Sequence, residues 1–167
     1  MKFLKAPILL LLILTTNPPH LRSEVQVPKA LTLPAGEYYI GDLCYVLPNQ
    51  WDEICKHLYK DNLNPLPQWV KLEGKVPLEM VVVVIGDDGG YRELESGKIL
   101  PVDSGTIGCI WTKYIDPSLL EEAKRLGLII TLESPTILSY HKKIDTKLNT
   151  ETSSIHLGSL TIETSEY

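Results

Sequence analysis

Val81-Val82-Val83-Val84-Ile85-Gly86-Asp87-Asp88-Gly89-Gly90-Tyr91 decides the fold class of this chain. Five consecutive branched residues have neither the two-residue alternation of a half-exposed strand nor the period of an amphipathic helix. They predict a strand covered on both faces. The glycines and aspartates of 86–90 tolerate positive φ and predict a turn. Residues 91–94 then read as the partner strand, 95–98 as a second turn and 99–103 as the next strand. The local pattern is a three-stranded β-meander.

Working outward, the same grammar recurs on both sides. Pro34-Ala35-Gly36 predicts a turn or bulge, Glu37-Tyr38-Tyr39-Ile40 a strand, and Gly41-Asp42 its end. Cys44-Tyr45-Val46-Leu47 reads as another short strand stopped by Pro48. Asn49 is placed to cap a helix over 50–59, in which Trp51, Ile54, Cys55 and Leu58 share one face. On the C-terminal side, 103–108 turns or bulges and Cys109-Ile110-Trp111 is strand-like. Asp116 and Pro117 start a second helix over 117–126, with Gly127 placed where a glycine commonly closes a helix. Residues 128–132 and 136–140 read as strands separated by Ser134-Pro135. Residues 142–154 read as a polar, mobile hairpin loop, and Ile155–Ile162 contains the last strand. The predicted fold is α+β: one mainly antiparallel sheet, strongly bent or a partly open barrel, with two short helices.

Composition sets the class. The chain has 167 residues, 44% hydrophobic and 22% charged, with a net charge of −5. That suits one folded domain. No Lys/Arg stripe is present, and without it the electrostatic attraction behind nucleic-acid binding is missing. Residues 1–28 read as a leader and Pro-rich linker, and 29–167 as a single globular domain. Lys2 and Lys5 precede the apolar run Ala6–Leu14, the layout of a secretory signal. As a helix that run would rise only about 13–14 Å, less than half of a ~30 Å bilayer core, so a stable membrane span is not expected. The expected location is secreted or periplasmic, with the cytoplasm as the alternative.

Three cysteines, Cys44, Cys55 and Cys109, cannot all pair within the chain. Their reading is free buried thiols, with a Cys44–Cys55 disulfide as the alternative in an oxidising compartment. No metal-ligand spacing, phosphate-binding loop or nucleophile elbow occurs, so no cofactor or metal is expected.

The candidate site is a set of Gly/Asp turns carrying Asp42, Asp87, Asp88 and Asp103, with Tyr45 and Tyr91 beside them as binding residues. Converging carboxylates could bind a hard cation or share a proton. The competing reading is turn chemistry alone, in which Gly takes positive φ and Asp bonds its own backbone. Val102-Asp103-Ser104-Gly105 is similar to the active-site turn of aspartic proteases, with Asp103 as the catalytic carboxylate. One copy in a chain of this size would require a homodimer, so that two such aspartates meet. Tyr38, Tyr39, Tyr45, Trp69, Tyr91 and Trp111 could line a groove, or supply most of the aromatic core volume in a chain with one Phe.

Several pieces in order resemble a family of small bacterial and phage proteins of uncharacterised function. They are Leu33-Pro34-Ala35-Gly36-Glu37-Tyr38-Tyr39-Ile40-Gly41-Asp42 with Cys44-Tyr45, Trp51-Asp52-Glu53-Ile54-Cys55, and Gly86-Asp87 with Gly89 and Tyr91. Pro101-Val102-Asp103-Ser104-Gly105 with Ile107-Gly108, then Ser134-Pro135 and Ser139-Tyr140, complete the set. The resemblance implies a compact α+β domain without an established activity, and it favours free thiols at Cys44 and Cys55. This chain departs from the family in its apolar leader and in a longer segment at 142–154. The functional expectation is a non-enzymatic binding or accessory domain with a protein or small-ligand partner; the rival is the homodimeric hydrolase built on Asp103.

Overall fold

In a computed structural model, which describes residues 30–59, 66–74, 77–86, 88–145 and 150–164, the valine run becomes the strand β4, Leu78–Val84. Its alternate residues enter two different cores. Val81 and Val83 pack on one side with Tyr38, Ile40, Ile107 and Cys109. Met80 and Val82 pack on the other with Tyr39, Leu43, Ile54 and Ile110. From Met80 to Val84 an apolar residue is therefore stable at every position, and no two-residue alternation survives there. Each fully buried Val or Ile here contributes roughly 1.5–3 kcal/mol.

The remaining strands are β1 (Ala30–Leu33), β2 (Gly36–Gly41), β3 (Gln68–Leu72), β5 (Gly89–Glu93), β6 (Ile99–Val102) and β7 (Thr106–Trp111), followed by β8 (Leu128–Leu132), β9 (Thr136–Asp145), β10 (Thr150–Leu157) and β11 (Leu160–Glu163). They form two sheets rather than one bent sheet or partial barrel. The first sheet has the order β1-β9-β10-β11-β5-β6, and the second β3-β4-β7-β2-β8. The pairings are antiparallel throughout. The sheets face each other across a shared core in which Leu33, Tyr91, Leu138, Tyr140 and Ile155 of the first meet Tyr38, Ile40, Val83 and Ile107 of the second. The far side of the second sheet is covered by α1 (Trp51–Leu58) and α2 (Leu120–Leu126).

Among the described strands the chain changes sheet four times: between β1 and β2, β4 and β5, β6 and β7, and β8 and β9. These junctions are the Gly, Pro and Asp-rich stations of the sequence. The predicted meander is corrected here. β4 pairs with β3 and β7, whereas β5 pairs with β6 and β11. β7 is buried from Thr106 to Ile110 and pairs with β4 over Met80–Val84, whereas β5 carries the exposed Arg92 and joins the other sheet. Gly86 at φ 103° sends the chain across instead. The carbonyl of Gly105 accepts from Ile85 N and Gly86 N at 2.9 and 3.1 Å, which holds two corners side by side.

Other local expectations shift for local reasons. Residues 43–45 form a 3-10 turn, not a strand, because the Asp42 side chain accepts from Cys44 N. Gln50, not Asn49, occupies the cap position of α1, with no side-chain bond. The second helix opens as a 3-10 turn, Pro117–Leu119, capped by Asp116 accepting from Ser118 N, and becomes α-helical only from Leu120. Gly127 is extended at φ −137°, so its glycine serves space rather than handedness: a Cβ there would lie 2.2 Å from the Tyr39 ring. Within segment 142–154, residues 142–145 and 150–154 are strand, and the rest lies outside the described residues. The β9–β10 ladder runs from Leu138↔Leu157 to Asp145↔Thr150. Backbone pairing continues where the apolar alternation fades. The leader and linker expected over 1–28 lie outside the described residues, and among the described residues no helix is long and apolar enough to cross a membrane.

Candidate functional site

Asp42 leaves β2 at its last glycine and is fully buried, at 0% exposure. A buried carboxylate needs donors to replace lost water, and here it has four. Oδ1 accepts from Cys44 N at 2.9 Å and from Ser104 Oγ at 2.7 Å. Oδ2 accepts from Asp103 N at 2.8 Å and Ser104 N at 2.9 Å. With the Ser104 proton committed to Asp42, the Thr106 hydroxyl donates to Ser104 Oγ at 2.8 Å. Tyr39 closes the back of the site, its hydroxyl donating to the Asp42 carbonyl at 3.1 Å. Asp42 thus clamps the 103–105 corner to the 43–45 turn.

The Asp103 carboxylate is exposed, while its backbone is held by the clamp. It lies beside Tyr45, whose phenol is pushed up by burial and then by this neighbour. Burial, a bond with Asp42 and the charges of Asp42, Asp103 and Asp88 together raise the Cys44 thiol. Asp42 bonds the 103–105 corner, and the Gly105 carbonyl bonds Ile85 N and Gly86 N, so the three turns share one rim. Their roles differ: Asp42 is internal, and Asp88 and Asp103 face solvent. Asp87 lies outside the described residues. Tyr91, expected at a binding surface, is instead 1% exposed in the inter-sheet core. Strand alternation from β5 into that core puts it there.

The three thiols are free. Cys109 is buried and pushed up to about 12 by that burial, and Cys55 is raised by burial and then by Asp52 and Asp42. None has the depressed pKa of a nucleophile. Among the described residues, no three His, Cys, Asp or Glu side chains gather closely enough to hold a metal ion. The aromatic residues do not line one groove, since Tyr38 and Tyr39 lie on opposite faces of β2 in separate cores. Trp69 is exposed on β3 and Tyr45 is half-buried at the rim, while Trp111 keeps a partly open face with Tyr114 stacked at 6.1 Å and the Lys113 ammonium 3.5 Å from its ring centre.

One cluster was invisible in the linear reading. The outward face of the first sheet carries Ser139 and His141 on β9, and Ser154 and His156 on β10. Register sets Ser154 opposite His141 and His156 opposite Ser139. Each histidine Nε2 meets the serine two residues earlier on its own strand, at 2.8 Å in both cases. Thr161 Oγ1 holds His156 Nδ1 at 3.2 Å. The imidazoles meet edge to face with centroids 4.6 Å apart. Burial, and then His141, lower the His156 pKa. A cleft of about 520 Å³ opens here, lined by both histidines, Thr152, Ser153, Ser154 and Glu163. The available signal was a repeated triplet, Ser139-Tyr140-His141 and Ser154-Ile155-His156. It carries meaning only once both halves are strands and their register is known.

No family model, no curated protein and no solved structure matches this chain.

Proposed function

We propose that this chain is a non-enzymatic binding domain, an accessory protein of the small bacterial and phage kind its sequence resembles, which binds through the outward face of the first sheet. The carrying observation is asymmetry between the sheets. Helices cover the second sheet, while the outward side of β9 and β10 is open and carries the histidine cleft. Ile137, on that same face, is 60% exposed. The leader supports a secreted or periplasmic location, with the cytoplasm as the alternative.

The rival reading, a homodimeric aspartic hydrolase, finds one supporting detail: the Ser104 hydroxyl buttresses the corner that displays Asp103. A proton-sharing dyad needs a second carboxylate with an oxygen able to hold the shared proton. The carboxylate that touches this corner, Asp42, has both oxygens committed to donors. A fluorogenic peptide library at about pH 4, where aspartic dyads act, separates the readings. Wild type and Asp103→Asn should be equally inert. Hydrolysis by the wild type that disappears in Asp103→Asn would replace the binding reading with the hydrolase.

A further inference from the structure

We propose that the cross-strand histidine pair, His141 and His156, is a binding site for one divalent transition-metal ion of the zinc, copper or nickel type. The inference deepens the reading above by naming a ligand class for the open face, and it rests on the choice of that face.

Imidazole nitrogens suit these three metals, whereas magnesium and calcium take oxygen. Two features of the pair fit a metal. First, the edge-to-face rings, with centroids 4.6 Å apart, bring imidazoles of two strands together at one cleft. Second, each ring has a hydroxyl partner on its own or a neighbouring strand: Ser139 for His141, Ser154 and Thr161 for His156. A metal-bound imidazole presents one nitrogen to the ion and donates the other N–H to a polar neighbour, which fixes tautomer and ring orientation. His156, held at both nitrogens by hydroxyls, loses one of these bonds to the ion and keeps the other. Two imidazoles supply two ligands, so water completes the sphere.

The site sits on strands paired residue by residue and outside both hydrophobic cores, so its side chains can be changed without opening either. Isothermal titration of the full chain with zinc chloride at neutral pH should give one ion per chain. Either His141→Ala or His156→Ala should weaken binding roughly tenfold or more, the scale on which metal-site partners matter. His57→Ala, on the exposed side of α1, should leave it unchanged, and magnesium chloride should not bind. Proton–nitrogen correlation spectra should show zinc shifting the imidazole signals of residues 141 and 156. Wild-type protein that takes no zinc would overturn the proposal. So would equal binding by the His141→Ala/His156→Ala double variant, or shifts confined to other histidines. These outcomes are read independently of the peptidase assay, so failure of either idea can be told from failure of the other.

Discussion

Replacing Asp42 should damage this domain more than replacing any other aspartate on the rim, and the size of the damage can be worked from its donors. In Asp42→Ala, Cys44 N, Asp103 N and Ser104 N all lose their acceptor at a fully buried position. The Ser104 hydroxyl can turn to Thr106, 2.8 Å away, and is not stranded. An orphaned buried donor costs about 1–3 kcal/mol, so three of them put the loss at about 3–6 kcal/mol once partial relaxation is allowed. Against a typical total of about 5–15 kcal/mol, that is a large share of the stability of a small domain. Asp42→Asn should be milder. With its amide nitrogen at the Oδ1 position, the side chain still accepts from Asp103 N and Ser104 N and donates to Ser104 Oγ. Only Cys44 N is then orphaned, a cost of about 1–3 kcal/mol. Asp103→Asn changes an exposed side chain, leaves its backbone bond to Asp42 intact, and should stay within about 0.5 kcal/mol. Urea unfolding followed by circular dichroism and tryptophan fluorescence gives the three values. An Asp42→Ala loss under about 1 kcal/mol, or an Asp103→Asn loss matching that of Asp42→Ala, would refute the clamp.

Gly127→Ala would place a Cβ 2.2 Å from the Tyr39 ring and 2.6 Å from the Ile40 carbonyl. Overpacking of this kind typically costs about 1–3 kcal/mol, and a melting temperature equal to wild type would contradict it. A thiol reagent at pH 8 should label the native protein slowly, because burial raises Cys44, Cys55 and Cys109 alike; all three should react promptly in denaturant, and a fast native thiol would count against the assignment. The folded-state pKa of His156 lies below the ordinary imidazole value, so the unfolded chain binds its proton more readily. Stability should therefore fall as pH drops below about 6.5 towards the folded pKa, and His156→Gln should flatten that part of the unfolding profile measured from pH 5 to 8.

Much of the strand content is legible in the chain, and the reason is burial. The run ending at Val84 is apolar throughout because both sides of β4 are enclosed, and the corners at Gly86 and Gly105 are written in glycine because the backbone there takes positive φ. Which sheet each strand joins is not legible. β4 is followed in sequence by β5 but pairs with β7, more than twenty residues on, and nothing in the local pattern separates a hairpin turn from a crossing between sheets. The histidine pair depends on the same missing information. Segment 142–154 lacks apolar alternation and so reads as a loop, although its backbone pairing continues the β9–β10 ladder.

Asp42 and Asp103 show the limit most sharply, because their local sequences are so alike. Each follows a strand, and each lies within two residues of a glycine, Gly41 before Asp42 and Gly105 after Asp103. Local chemistry allots both the same role, a side chain bonding nearby backbone. Asp42 does so with Cys44 N, but its other oxygen reaches 61 residues along the chain to Asp103 N. That distant partner makes one carboxylate interior and leaves the other on the surface. A carboxylate engaged by backbone donors from two corners is suited to holding strands in place, and a surface carboxylate is suited to meeting solvent or a ligand. The difference between scaffold and surface at this rim therefore arises from tertiary contact, and substituting the two aspartates in turn measures it directly.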